Sequence, residues 1–269
     1  MIPAEFDYVR ASSIEHAVTL LGEYGEEAKV LAGGHSLLPM MKLRLAFPTT
    51  LIDIGAITEA AYVRREGDEV AIGGLTRHCD LAASAVLREQ APLLAYVAGT
   101  VGDPQVRHRG TIGGSVAHAD PSADLPTAVL ASDATLVLQG PDGRRTVAAT
   151  DFFLGLFETA LTPQEILVEI RVPVTGPGGW HYEKFTRRAN DWAIVAVATV
   201  AGRVGLANMG STPLRAVATE AALAAGASIE QAAALADEGT APVEDMHADA
   251  EYRRHLARVL TRRCLQAAR

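Results

Sequence analysis

The period of the hydrophobic positions changes twice within the first fifty-odd residues. Ile14, Ala17, Val18 and Leu21 recur at helical spacing behind Ser12-Ser13-Ile14-Glu15, which reads as a capping box, and Gly22 and Gly25 flank the helix end. A short apolar strand over 29–32 ends in two glycines, and Met40, Met41, Leu43 and Leu45 then mark a second helix. The run 49–54 is apolar throughout, the kind of strand found inside a parallel sheet. These segments predict a small βαβ-like unit with a glycine loop at one edge.

Further along, residues 69–73 read as a strand, 80–87 as a helix that Thr76 is placed to cap, and 92–101 as another helix, broken by Gly102-Asp103-Pro104. An apolar helix over 125–131 leads into a hairpin, 135–138 and 144–147, around Gly140-Pro141-Asp142-Gly143. Residues 165–173 alternate with period two and predict a half-buried strand, so the middle of the chain is α+β with an antiparallel sheet. After the linker Thr175-Gly176-Pro177-Gly178-Gly179 come strands over 180–186, 193–201 and 203–209. An alanine-rich helical tail follows, with Tyr252, Leu256, Val259, Leu260 and Cys264 on one face. The expected units are 1–55, 56–174 and 179–269.

Candidate chemistry gathers in two stretches. In the first, Leu31-Ala32-Gly33-Gly34-His35-Ser36-Leu37, paired glycines permit a sharp turn and close approach of a ligand. Ser36 stands where an N-cap belongs, and Pro39 is tolerable in a first turn. A helix start with free N–H groups is a natural phosphate site. In the second stretch, Arg107, His108 and Arg109 precede Gly110-Thr111-Ile112-Gly113-Gly114-Ser115, with Asp120 and Asp124 downstream. Two such loops can clamp a pyrophosphate from both sides. Neither contains G-x-G-x-x-G, and neither continues into the Gly-Lys-Ser/Thr of a Walker A loop. That pattern points to a dinucleotide held by a different fold. A third echo, Gly73-Gly74-Leu75-Thr76, is read as structural.

Composition narrows the function classes. The chain has 269 residues, 49% of them hydrophobic, enough for two or three subdomains with cores. A net charge of −8 argues against a nucleic-acid surface. No transmembrane run and no basic-then-apolar leader is present in the sequence, which predicts a cytoplasmic protein. The two cysteines, Cys79 and Cys264, cannot supply the four thiolates of an iron–sulfur cluster, and the eight histidines show no ligand spacing. No metal is expected in this chain.

With those residues quoted, the segments AGGHSLLPMMKLRL (32–45) and QVRHRGTIGGSVAHADPSADLP (105–126) resemble the two signatures of the FAD-binding medium subunit of molybdenum hydroxylases. That family includes aerobic carbon monoxide dehydrogenase and the flavin domain of xanthine dehydrogenase. The resemblance runs from near Phe6 to near Arg263. It implies an α+β chain: a PCMH-type FAD-binding fold of two α/β subdomains, then a smaller C-terminal domain of antiparallel strands and helices. It also implies non-covalent FAD, with His35 and His118 not attached to the flavin. The molybdenum cofactor and [2Fe–2S] clusters are expected only in a large molybdopterin-binding and a small iron–sulfur partner subunit, assembled as a dimer of heterotrimers. Electrons would pass from those clusters through FAD to an external acceptor.

Carried over residue by residue, the resemblance gives one side of a pyrophosphate cradle to Leu31, Ala32, Gly33, Gly34, His35, Ser36 and Leu37. The other side falls to the Thr111 and Ser115 hydroxyls and the backbone of Ile112, Gly113 and Gly114. The position of Ser115 is often Asn or Asp in the family, which predicts a weaker or water-mediated contact here. Asp124 matches a carboxylate that binds ribityl or adenosine hydroxyls, with a helix N-cap as its alternative role. Leu167 and Lys184 match positions at the isoalloxazine, where a lysine stabilises charge on the reduced ring; an exposed sheet lysine is the alternative. Val101 matches a position packed near the flavin. Trp192 is a candidate to shield a ring face, or else a core tryptophan. No residue of this chain is expected to act chemically on the organic substrate. The competing readings are a free-standing FAD-dependent oxidoreductase acting on a small organic substrate and a non-redox nucleotide-binding module.

Overall fold

Parallel strands need crossover connections, and helices supply them at the start of the chain. In the computed structural model, which describes residues 2–268, β1 (Asp7–Arg10), β2 (Ala28–Leu31) and β3 (Thr50–Asp53) form a parallel sheet in the order β1-β3-β2. The crossovers contain α1 (Ile14–Tyr24) and α2 (Leu37–Lys42). Met1 and Arg269, the outer bounds of the expected end units, lie outside the described residues. β3 is the central strand, as its apolar run predicts. β1 is mostly exposed and has no apolar pattern, so only its pairing with β3 reveals it. The expected capping box is absent: Ser13, not Ser12, caps α1 by accepting from the His16 N–H, while Ser12 contacts the His16 ring. Gly22 lies inside α1, and Gly25 ends it with φ 71°.

The middle of the chain is antiparallel. It runs through β4 (Val63–Glu66), β5 (Glu69–Gly73), α3 (His78–Ala83), α4 (Ala85–Gln90), α5 (Pro92–Thr100) and α6 (Pro104–Arg107). Then come α7 (Ile112–His118), α8 (Asp124–Ala131), β6 (Thr135–Gly140), β7 (Gly143–Ala148), α9 (Ala149–Phe152), β8 (Phe153–Gly155), β9 (Glu158–Thr159) and β10 (Ile166–Pro173). The main sheet has the order β4-β5-β10-β6-β7. Its central strand β10 is buried on both faces through Ile170, more than the half-burial its alternation suggests. A register shift between Leu167 and Glu169 changes the alternation: Ile166 and Val168 join the cluster around α1, and Ile170 and Val172 join the cluster with Leu94 and Leu125. Thr76 does not cap a helix over 80–87. Its Oγ1 bonds the Tyr62 backbone, and the helix breaks at Ser84, which caps α4.

The C-terminal part pairs β11 (Trp180–Phe185), β12 (Val195–Val200), β13 (Arg203–Ala207) and β14 (Leu214–Arg215) in sequence order, all antiparallel. Helices α10 (Val217–Ala224), α11 (Ile229–Ala233) and α12 (Ala250–Ala267) complete it. Leu256, Leu260 and Cys264 of α12 are buried as the pattern predicts, but Tyr252 is exposed and Arg253 is buried in its place. Small side chains let this sheet pack closely on α8: Ala128 and Ala131 of the helix share one core with Ala196 and Ala198 of β12. At Gly205 a Cβ would sit 2.8 Å from the Thr127 carbonyl oxygen and 3.1 Å from the Ala131 Cβ.

His78 opens α3 at a third junction. Its N–H bonds the Gly110 carbonyl, and its ring packs so tightly that a Cβ on Gly110 would lie 2.7 Å from Nε2. Burial, together with the nearby charges of His35 and Arg107, pushes its imidazole down from 6.5 to about 4. The neutral form is favoured in the fold, so its contribution to stability is present above pH 6.5 and lost as pH falls toward 4. Denaturation at stepped pH should show a loss of about 3 kcal/mol from this group over that window, and His78→Leu should flatten that part of the curve. Gly205→Ala should lower the unfolding free energy by about 1–3 kcal/mol in denaturant titrations, because the colliding carbonyl belongs to a helix held on both sides.

Candidate functional site

The two glycine loops touch through their backbones. A Cβ on Gly33 would lie 2.4 Å from the Arg109 carbonyl oxygen and 2.8 Å from the Gly110 Cα. Gly113 meets Gly74 in the same way, with a Cβ position 2.6 Å from the Gly74 carbonyl oxygen, and a Cβ on Gly74 would lie 2.4 Å from the Leu167 carbonyl oxygen. The Gly73-Gly74 turn is therefore a spacer that holds the second loop against the central strand. Hydrogen bonds complete that seam: Gly74 N–H to Val168 O at 2.7 Å, Gly113 N–H to Gly74 O at 2.9 Å and Ile112 N–H to Thr76 O at 3.0 Å.

The loops differ in what they leave free. Among the described residues, none of the N–H groups of Ala32, Gly33, Gly34, His35 and Ser36 donates to another protein atom. Gly34 turns the chain with φ 77°. Ser36 occupies the N-cap position of α2 but has helical backbone angles and makes no capping bond, which corrects its expected role and leaves its hydroxyl out of the helix. Pro39 sits in the first turn of α2, as its sequence position allows.

In the second loop the N–H groups of Ile112, Gly113, Gly114 and Ser115 are already engaged, while among the described residues that of Thr111 has no protein acceptor. Thr111 caps α7, its Oγ1 accepting from Gly114 at 3.2 Å, and Ser115 N–H bonds the Thr111 carbonyl. The backbone of Ile112, Gly113 and Gly114, expected to face a ligand with its donors, uses them inside the protein instead. Among the described residues, the Thr111 hydroxyl proton and the Ser115 hydroxyl have no protein acceptor. Free backbone donors on one side and hydroxyls on the other form a set suited to phosphate oxygens.

A second polar group lies where β11 meets α5 and α8. Lys184 Nζ is 2.9 Å from Asp124 Oδ2 and 3.2 Å from the Thr100 carbonyl oxygen, and the Tyr182 hydroxyl donates to Asp124 Oδ1 at 2.5 Å. Lys184 is thus no exposed sheet lysine, since its side chain is 9% exposed. Asp124 is not an N-cap either, because Ala123 holds that position and Asp124 is the first residue of α8. Burial raises the Asp124 carboxyl above its ordinary value, against the pull of the Lys184 charge and of hydrogen bonds from Tyr182 and Lys184. Burial and the adjacent Asp124 push the Tyr182 phenol well above its usual range. Val101 follows Thr100, half-buried, with its carbonyl accepting from Arg107. Leu167 is buried in β10, joined to the second loop through Gly74.

Trp192 is 61% exposed, which excludes the core alternative. It lines a cavity of about 310 Å³ with Phe157, Asp120, Ser122, Asn208 and Arg253. Asn208 Nδ2 holds the Ala193 carbonyl at 2.8 Å and Arg253 Nη1 holds that of Ile194 at 2.5 Å, fixing the strand that follows the tryptophan. Sequence reasoning missed Tyr182 and Phe157. Tyr182 was discoverable, since it lies two residues before Lys184 on one strand and so shares its face. Phe157, at φ 58° against the His118 ring, gives no periodic signal. Among the described residues, no group of three or more His, Cys, Asp or Glu side chains is placed to hold a metal ion.

Comparison with known proteins agrees with this geometry. Residues 4–175 match the model for the FAD binding domain in molybdopterin dehydrogenase, and residues 180–268 that for the CO dehydrogenase flavoprotein C-terminal domain. The chain is 45% identical over 282 residues to the carbon monoxide dehydrogenase medium chain of Hydrogenophaga pseudoflava, covering 100% of this chain and 98% of that one. It is 36% identical over 283 residues to the 6-hydroxypseudooxynicotine dehydrogenase complex subunit alpha of Paenarthrobacter nicotinovorans, covering 100% and 96%. The solved structure of carbon monoxide dehydrogenase from H. pseudoflava lacking the Mo-pyranopterin moiety matches with a TM-score of 0.96 and 47% identity, covering 100% of this chain and 98% of that one. With both domain models matched in order along nearly its whole length, the chain belongs to the molybdenum hydroxylase family, as an FAD-binding medium subunit of its oxidoreductases.

Proposed function

We propose that this chain is the electron-transfer flavoprotein of its complex, taking electrons from [2Fe–2S] clusters of a small partner subunit and passing them to an external acceptor. The observation that carries the reading is the first loop, where Ala32, Gly33, Gly34, His35 and Ser36 leave their N–H groups without protein acceptors opposite the Thr111 and Ser115 hydroxyls. Those groups, with Leu31 and Leu37 and the close surface of Gly113 and Gly114, would hold the FAD pyrophosphate. Asp124, Lys184, Val101 and Leu167 would orient the remainder, and Trp192 would cover a ring face. FAD supplies the redox chemistry when bound, and the residues of the chain bind, orient and screen it.

In this reading, residues 1–55 and 56–174 each contribute one loop, and 179–269 contribute Lys184. The named relatives are a carbon monoxide dehydrogenase chain and a 6-hydroxypseudooxynicotine dehydrogenase complex subunit, and their named substrates differ although this type of chain is shared. A large molybdopterin subunit would therefore select the substrate, with assembly as a dimer of heterotrimers in the cytoplasm. No helix of the described residues is long and apolar enough to cross a membrane.

Gentle purification of the tagged chain from its native host should yield one large chain, one small iron–sulfur chain and FAD in equal amounts. Recovery of the chain alone, yellow and reducible by an organic substrate, would establish a free-standing flavoenzyme instead. Two substitutions test the loop. Gly33→Ala forces the loops apart and should weaken FAD binding roughly tenfold or more in equilibrium titrations. His35→Ala keeps the backbone donors and should bind FAD as the parent does, with the flavin released on acid precipitation from both.

A further inference from the structure

We propose that Tyr182 is a positioning residue of the flavin site: its phenol occupies Asp124 Oδ1 and thereby keeps Oδ2 on Lys184, fixing where the ammonium is presented. This rests on the reading above, in which Lys184 adjoins the flavin. The geometry is that of a closed relay across two parts of the fold. Tyr182 and Lys184 lie on one face of β11, opposite Ala198 and Ala196, which offer no competing polar group. Asp124 reaches them from the first turn of α8, and the Thr100 carbonyl from the end of α5. A buried carboxylate stays ionised only when its oxygens are matched by donors or cations, and here each oxygen has one.

Tyr182 is held in place for this task. Its ring meets Tyr96 edge-on with centroids 6.5 Å apart, and Tyr96 packs on Trp180 at 5.5 Å. Around the pair, Asp120 adds only negative charge, while Tyr96 from α5 and Cys264 from α12 are neutral neighbours, the thiol contacting the Val197 carbonyl. Among the described residues, Lys184 is thus the cation paired with Asp124, and the Tyr182 phenol supplies the other donor. Among the described residues, two acceptors are assigned to the Lys184 ammonium, Asp124 and Thr100, so one of its three N–H bonds is free for a ligand. Without the phenol, Asp124 Oδ1 is buried with no donor. The carboxyl then takes up a proton more readily, and Lys184 loses its counter-charge and its anchor together.

The test is the flavin midpoint potential of the intact complex, measured across pH by spectroelectrochemistry, in Tyr182→Phe and in the parent. The substitution removes a single oxygen and leaves the ring packing. The protonation step of Asp124, read as a rise in potential with falling pH, should move upward by about 1–2 pH units. A Tyr182→Phe curve that superimposes on the parent curve, even with a lowered melting temperature, would show a packing role only and overturn the proposal. Lys184→Met is the control for the underlying reading. If it leaves both the potential and FAD affinity unchanged, Lys184 does not adjoin the flavin, and the proposal falls with that placement rather than through Tyr182.

Discussion

Close approach of one backbone to another is the constraint on which this structure depends. Gly33 lies against Gly110, and Gly113 against Gly74, which in turn lies against Leu167 of the central strand. Each contact is too short to admit a Cβ, so four separated pieces of chain are locked at distances that side chains would forbid. The lock decides the chemistry on offer. Bonds from Ile112 and Gly113 across the seam, and from Gly114 and Ser115 to Thr111, use four donors of the second loop, so the first loop is left as the one with a run of free N–H groups. Two motifs that look equivalent in sequence thereby become unequal partners, one a nest of donors and the other a capped helix start with hydroxyls.

A comparable closeness joins the C-terminal sheet to the rest. Alanines on α8 and β12 and the bare Gly205 bring strand and helix together in one dry core. At the edge of that core the fold buries a carboxylate, an ammonium and a phenol. Burying charge is unfavourable unless the groups match, and this set matches completely at Asp124. The usual explanation of such a cluster as added stability is weak, since apolar side chains would pack there at least as well. On the reading proposed above, its value lies in presenting one cation in one place, beside the cofactor that the subunit holds.

The amino-acid sequence by itself determined the family, the two glycine loops, the antiparallel middle sheet and the central parallel strand β3. Those features are local: glycine pairs, apolar periods and turn residues act within a few positions of themselves. What sequence did not reveal depends on neighbours distant in the chain. β1 exists because β3 accepts it, and β10 is buried on both faces because helices cover each side of its sheet. Thr76 resembles a cap but bonds Tyr62, and Ser36 sits at a cap position without capping. Lys184 and Asp124 stood in the sequence as separate residues with separate roles, and only the docking of β11 on α5 and α8 made them one ion pair closed by Tyr182. Which backbone donors remain free was likewise a tertiary decision, because a hydrogen bond is settled by the partner that arrives and not by the motif that offers it.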